Sequence, residues 1–180
     1  TVVDGFSGKA RSFNGTSDYI KVATAGITAN LNTYSISGWF NSTTTAAPAT
    51  LYGEGGGGTP IVHLQLNSGI AQFQHRSDAS VLMSITSSAT YNDGKWHYIA
   101  GVRSASNSFT LYVDGVSVGT STAAPGTTTI SEVNLGTRYD GGSRLQYYGG
   151  ILDEFSVSNT ARTAEEIAEA YRAGRDHRIS

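Results

Sequence analysis

A period of two governs this sequence. In YSISGWF (34–40), IVHLQL (61–66), IAQFQHR (70–76), WHYIAGVR (96–103) and FTLYV (109–113), apolar and polar side chains alternate, or apolar ones fill both parities. Successive side chains of a strand point to opposite faces, so these runs read as half-buried or fully covered β-strands. The turns show how neighbours connect. Asp114-Gly115 separates FTLYV from VSVG, and a two-residue hairpin turn needs φ > 0 at both central positions, which Asp and Gly tolerate. Asn67-Ser68-Gly69 links IVHLQL to IAQFQHR in the same manner.

Further strands are predicted near 17–22, 81–86, 116–120, 130–136 and 147–157, and only the C-terminal stretch departs from the pattern. There Thr163 can cap a first turn, Glu166 can reach back to it, and Ile167, Ala170 and Tyr171 form an apolar stripe that Gly174 is expected to end. This predicts a short helix against the sandwich edge. The 180 residues fit a single domain, 1–180. STTTAAPAT (42–50) and GEGGGG (53–58) read as loops, and the DHRIS tail (176–180) is expected to fray. GEGGGG satisfies a Gly-x-Gly-x-x-Gly spacing, yet no helix N-terminus follows it, so it is no phosphate cradle.

Composition excludes several classes of function. Charged residues are 14% of the chain and the formal net charge is −2, with no Lys/Arg run, so nucleic acid has no electrostatic footprint here. The absence of cysteine removes disulfides, thiolate metal sites and cysteine nucleophiles, and fits a bacterial secreted or surface module. No apolar run reaches the ~18 residues of a membrane helix, so membrane insertion is not expected. Thr1 opens no signal peptide, and the chain reads as a mature segment of a larger protein.

The ordered series GKARSFNGTSDYIKV, YSISGWF, DGKWHYIAGV, FTLYVDGVSVG, NLG, GGILDEFSV and TAEEIAEAY resembles the laminin-G-like jelly-roll domains of the concanavalin A-like lectin and glucanase superfamily, over residues 8–172. The resemblance implies an all-β fold, a two-sheet antiparallel jelly-roll sandwich with a short C-terminal helix. It also implies a lectin-like, carbohydrate-binding role, whose partner is a glycan or polysaccharide. A protein-binding adhesion or structural domain, docking a cell-surface protein, is the alternative on the same scaffold. A glycoside hydrolase or polysaccharide lyase ranks third, because the Glu-x-Asp-x-Glu strand of the superfamily's glucanases is missing and the adjacent Asp153 and Glu154 face opposite sides.

Trp96 and His97 are the residues most suggestive of chemistry. Parity puts Trp96, Tyr98, Ala100 and Val102 on one face and His97, Ile99, Gly101 and Arg103 on the other. With no nucleophile motif nearby, both read as scaffold, with Trp96 expected between the sheets.

Two carboxylates share parity with apolar neighbours: Asp153 with Ile151, Phe155 and Val157, and Asp18 with Ile20 and Val22. A buried carboxylate must be balanced, either by backbone N–H groups or by a cation. Resemblance to calcium-bearing jelly rolls implies a structural Ca²⁺ near FNGTSDY and LDEF, held by Asp153, Asp18 and Gly15.

Two ligand sites compete. If Phe73 faces the core with Leu64 and Leu66, then His63, Gln65, Gln72, Gln74 and Arg76 form a polar row on the opposite face. That row is either an ordinary solvated face or a set of amides and a guanidinium suited to sugar hydroxyls. The second site is the RYDGGSRLQYY loop, where Arg138, Tyr139, Asp140, Arg144 and Tyr147 combine aromatic and charged groups. It ranks first because a pyranose ring needs an aromatic surface as well as polar groups. An anionic ligand would depend most on Arg138 and Arg144.

Overall fold

The structure is a computed structural model and describes residues 1–23, 25–56, 58 and 60–176. Gly57, Thr59 and the end of the tail, 177–180, lie outside the described residues. In chain order the strands are β1 (Val2–Asp4), β2 (Lys9–Asn14), β3 (Ile20–Ala23), β4 (Tyr34–Asn41), β5 (Ala49–Gly55), β6 (Ile61–Asn67), β7 (Ile70–Arg76), β8 (Leu82–Thr90), β9 (Trp96–Ala105), β10 (Ser108–Val113), β11 (Val116–Ser121), β12 (Glu132–Leu135), β13 (Arg138–Asp140), β14 (Ser143–Leu145) and β15 (Gly149–Ser158), followed by α1 (Ala164–Asp176). A seven-stranded sheet runs β1-β2-β15-β4-β9-β10-β11 and a six-stranded sheet runs β3-β12-β5-β6-β7-β8, with β13-β14 as a separate hairpin. The described pairings are antiparallel, including β15 with both β2 and β4. This is the expected two-sheet jelly-roll sandwich.

Both predicted hairpin turns form. Ser68 and Gly69 have φ of 52° and 86°, Asp114 and Gly115 of 52° and 79°, as their two-residue connections require. Between the sheets lies a core that includes Ile36, Phe40, Leu64, Leu66, Phe73, Ile85, Ile99, Phe109 and Leu111. Each fully buried side chain of this size contributes roughly 1.5–3 kcal/mol. Gly101 of β9 belongs to this face, where a Cβ would meet Leu64 and Phe73 at 3.0 Å.

The parity predicted for β9 holds, but Trp96 faces away from the intersheet core. His97, Ile99, Gly101 and Arg103 point between the sheets, whereas Trp96, Tyr98, Ala100 and Val102 lie on the outer face of the seven-stranded sheet. A second apolar cluster there contains Phe6, Trp39, Tyr98, Ala100, Val102, Tyr112 and Ile167, with Trp96 partly buried against it. The helix covers this outer face rather than an edge. Its capping box forms as expected: Thr163 N donates to Glu166 Oε2 at 2.8 Å, and Glu166 N donates to Thr163 Oγ1 at 3.2 Å. Gly174 does not end α1. It is where the helix meets Trp39, since a Cβ there would lie 2.6 Å from the indole.

The strands β1, β2, β5, β13 and β14 were not legible as strands. In β5 every residue is buried, so the period of two vanishes, and its two glycines lower the strand signal further. The beginning of GEGGGG is therefore strand rather than loop.

Candidate functional site

The two predicted ligand regions meet on one surface, the outer face of the six-stranded sheet. Pairing of β6 with β7 sets His63 opposite Gln74, Gln65 opposite Gln72 and Ile61 opposite Arg76, and β8 continues the face with Ser84 and Thr86. The β13-β14 hairpin does not project as a free loop. It lies across the outer face of β5 and β12. Gly53 and Gly55 permit this approach: a Cβ on Gly53 would be 2.8 Å from Thr137 O, and one on Gly55 would be 2.0 Å from Tyr139 O. Gly141 N donates to Gly56 O at 3.1 Å, and Thr50 N donates to Gln146 O at 2.9 Å. The hairpin thus covers the β12-β5 half of the face and leaves the β7-β8 half open.

The charges of the hairpin are engaged within the chain. Arg138 pairs with Asp140. Arg144 Nη2 reaches Glu132 Oε1 at 2.5 Å, while its guanidinium lies 4.1 Å from the centre of the Tyr19 ring and 5.3 Å from that of Tyr139. Glu132 also accepts from Lys21 at 2.7 Å and from Asn134 at 3.1 Å. Burial pushes the Glu132 carboxyl up, but its bonds to Lys21 and Asn134 and the charge of Arg144 hold it below the usual range. Arg144 therefore anchors the hairpin to β12 and to Tyr19, the residue before β3. Tyr147 is partly buried, beside the fully buried Tyr148, whose hydroxyl donates to Asn41 O at 2.9 Å.

On the row itself, Gln65 Nε2 donates to Gln72 Oε1 at 2.8 Å and approaches Gln74 Oε1 at 3.4 Å. Gln74 Nε2 approaches Ser84 Oγ at 3.4 Å. Gln65 is 3% exposed and its Oε1 has no protein partner. His63 was expected to stand on the surface, but it is fully buried at the foot of the hairpin, with neither ring nitrogen hydrogen-bonded. Burial, and then the positive fields of Arg138 and Arg76, lower its pKa to about 3, so the imidazole is neutral. Gln72, Gln74 and Arg76 remain partly exposed. The accessible surface is the Gln72 and Gln74 side of an amide ladder, with the buried Gln65 beneath, hydroxyls at its border and the hairpin as its wall.

The residues expected to share a calcium ion are not brought together. Asp153 lies opposite Trp39 on the outer face, because a register shift with Glu154 at φ 48° breaks the parity with Phe155 and Val157. Its Oδ2 accepts from Ser7 N at 3.0 Å and its Oδ1 from Glu154 N at 2.9 Å. These backbone donors are the balance it needs. Asp18 accepts from Asn14 N at 3.1 Å, and Gly15 N donates to Tyr148 O at 3.1 Å. Asn14 pairs with Gly149, four positions from Asp153 along β15, or about 13 Å at ~3.3 Å per residue. Val22, expected to face an apolar layer with Asp18, is 49% exposed. Among the described residues no group of three or more His, Asp or Glu could hold a metal ion. The donor set does not fit a shared Ca²⁺ site.

His97 has acidic neighbours that the sequence reading did not assign to it. Its Nδ1 meets Asp114 Oδ2 at 2.8 Å and its Nε2 meets Asp93 Oδ1 at 3.0 Å, while Asp114 Oδ1 accepts from Tyr98 N at 2.9 Å. Both ring nitrogens are committed, so neither can take a proton from a nucleophile. The imidazole clasps two Asp-Gly turns together. Burial pushes its pKa down, but the two carboxylates outweigh this and raise it overall.

A family model described as the concanavalin A-like lectin/glucanases superfamily matches residues 14–168. The chain belongs to this superfamily. Solved structures of similar shape include domain 4 of AbnA, an extracellular GH43 arabinanase from Geobacillus stearothermophilus, in complex with arabinotriose. It is 21% identical with a TM-score of 0.79, over 93% of this chain and 79% of that one. The CBM40 domain of the Ruminococcus gnavus IT-sialidase, bound to α2,3-sialyllactose, is 15% identical with a TM-score of 0.69, over 86% of this chain and 97% of that one. The native heptameric SAP-like pentraxin of Limulus polyphemus is 15% identical with a TM-score of 0.71, over 89% of this chain and 80% of that one. At these identities the likeness establishes the fold. No curated protein sequence is similar enough to count as a relative. No helix among the described residues is long and apolar enough to cross a membrane.

Proposed function

We propose that this superfamily member is a noncatalytic carbohydrate-binding module of a larger secreted or surface protein, and that it binds glycan on the open half of the six-stranded sheet. The observation that carries the reading is the amide ladder: Gln65, Gln72 and Gln74 are linked by hydrogen bonds, and Gln65 Oε1 is left unpaired at their foot. Such amides present both donors and acceptors, as vicinal sugar hydroxyls require. The solved complexes of domains of this shape with arabinotriose and sialyllactose support the reading.

The ligand expected is neutral. Arg138 and Arg144, candidates for an anionic sugar, are already paired with Asp140 and Glu132, and breaking such a pair to bind an anion leaves its partner uncompensated. The same geometry supports a noncatalytic role. The Asp140 and Glu132 carboxylates are held in ion pairs, the buried His63 is neutral, and His97 is bonded at both nitrogens.

A glycan array followed by calorimetry tests this. Gln72→Ala and Gln74→Ala are each expected to weaken binding of the selected glycan at least tenfold, with Tyr139→Ala changing it less. Unchanged affinity in both glutamine variants rejects the site. A silent array favours the adhesion reading, and sugar release by the wild-type protein rejects the noncatalytic one.

A further inference from the structure

On the outer face of the other sheet, a cleft of about 680 Å³ opens between the N-terminal turn, the start of β9 and α1. Its aromatic lining is Phe6, Trp39, Trp96 and Tyr171, and its polar rim includes Asn41 and Lys95. Pockets of ~300–1,000 Å³ that combine aromatic surface with a few polar groups are the usual form of small-ligand sites.

The inner part of this lining is structural. Phe6 and Trp39 are stacked with ring centroids 3.5 Å apart and are 5% and 2% exposed. Trp96 is different. It meets Phe6 edge-on, at 5.8 Å and 71°, remains partly exposed and borders the cleft. Pairing of Asn41 with Trp96 across β4 and β9 sets the amide beside the indole, and Asn41 Nδ2 is fixed by Gly94 O at 2.8 Å. The charged groups around it are largely offset: Lys95 pairs with Asp93 at 3.0 Å, Asp114 with His97 at 2.8 Å, and the Arg175 guanidinium lies 5.6 Å from the centre of the Tyr171 ring.

We infer that this cleft is a second saccharide site, which stacks a neutral pyranose unit on Trp96 and bonds its hydroxyls at the Asn41 and Lys95 rim. A pyranose whose hydroxyls are equatorial turns its axial C–H bonds toward a flat aromatic surface and its oxygens toward the edge. That is the arrangement of aromatic surface and polar handles found here. The site lies across the sandwich from the amide ladder and does not depend on that face binding glycan. If both faces bind, the module can hold two glycan chains at once.

The test uses the wild-type protein with cellohexaose, maltohexaose and laminarihexaose. The chain has two tryptophans, of which Trp39 is buried, so N-bromosuccinimide should oxidise Trp96 first. At least one hexasaccharide is expected to slow that oxidation severalfold. Protection that persists in Gln72→Ala but binding that falls at least tenfold in a folded Trp96→Ala supports a site separate from the amide ladder. No protection by any of the three overturns the inference without touching the amide-face reading. Protection abolished by Gln72→Ala overturns it too, because the ligand would then sit on the other face.

Discussion

Two glycines of the GEGGGG stretch should respond oppositely to the same substitution. Gly55 lies in β5 directly beneath the hairpin, and a Cβ built there falls 2.0 Å from Tyr139 O. A real Cβ needs more than 3.0 Å, so the hairpin backbone must lift by over an ångström, and the contact is with backbone, which cannot rotate away. Forcing a methyl into a packed site costs ~1–3 kcal/mol. The φ of Gly55 is not positive, so alanine also gains ~0.4–1 kcal/mol by narrowing the unfolded ensemble. The net expectation is a loss of about 1–2 kcal/mol. At roughly 2–4 °C per kcal/mol for a chain of this length, Gly55→Ala should melt about 2–8 °C lower. Gly58, three positions on, has nothing within 4 Å of its built Cβ, so Gly58→Ala should melt at or slightly above the parent temperature. Calorimetric melts of the three proteins at one pH decide the matter. If Gly55→Ala melts within 1 °C of the parent, or if both variants fall equally, the hairpin is not seated on β5 as described and the wall of the proposed glycan site is misplaced.

Trp39→Ala should cost ~3–5 kcal/mol, because Trp39 joins Phe6, Tyr98, Tyr171 and α1, and Trp96→Ala clearly less; equal losses in denaturant titrations would mean that the outer cluster is misread. The raised pKa of His97 makes its clasp fully effective below the unfolded value of ~6.5 and weaker as pH rises through the higher folded value. The stability gap between wild type and His97→Gln should therefore shrink between pH 6 and pH 8.5, and a constant gap would contradict the pairing. Asp153→Asn turns one acceptor toward a donor and should cost ~1–3 kcal/mol, by the same amount with and without EDTA. A loss that disappears in chelator would instead make Asp153 a metal ligand. Burial raises the pKa of Glu54, whose Oε2 accepts from Thr28 Oγ1 at 3.0 Å and which also bonds Tyr52, so Glu54 favours folding below about 4.5 and loses that contribution as pH rises through its folded value. Glu54→Gln should flatten the decline in melting temperature above pH 4.5.

The alternation of side chains, the Ser68-Gly69 and Asp114-Gly115 turns and the Thr163/Glu166 capping box specify strands, hairpins and the helix start locally, because each depends on residues a few positions apart. They determined an all-β sandwich with one terminal helix, and the ordered family motifs determined which sandwich. What lay on each face was decided by contacts distant in sequence. Period two places Trp96 and His97 on opposite faces but does not say which face another layer will cover; α1, about 70 positions later, made the Trp96 face a second small core. A separation of 17 positions hid Asp114 from His97, and one of some 80 hid the hairpin from Gly53 and Gly55. Parity also fails wherever a bulge inserts a residue, as at Glu154, and this alone moved Asp153 from the core-facing layer to the outer one. The ladder residues Gln65, Gln72 and Gln74 and the hairpin residues Arg138, Tyr139, Asp140 and Arg144 were each legible as candidates. Only the tertiary structure joined them into one surface, because this hairpin lies so close on β5 that a Cβ at Gly53 or Gly55 would meet its backbone, and those glycines stand some 80 residues earlier in the chain.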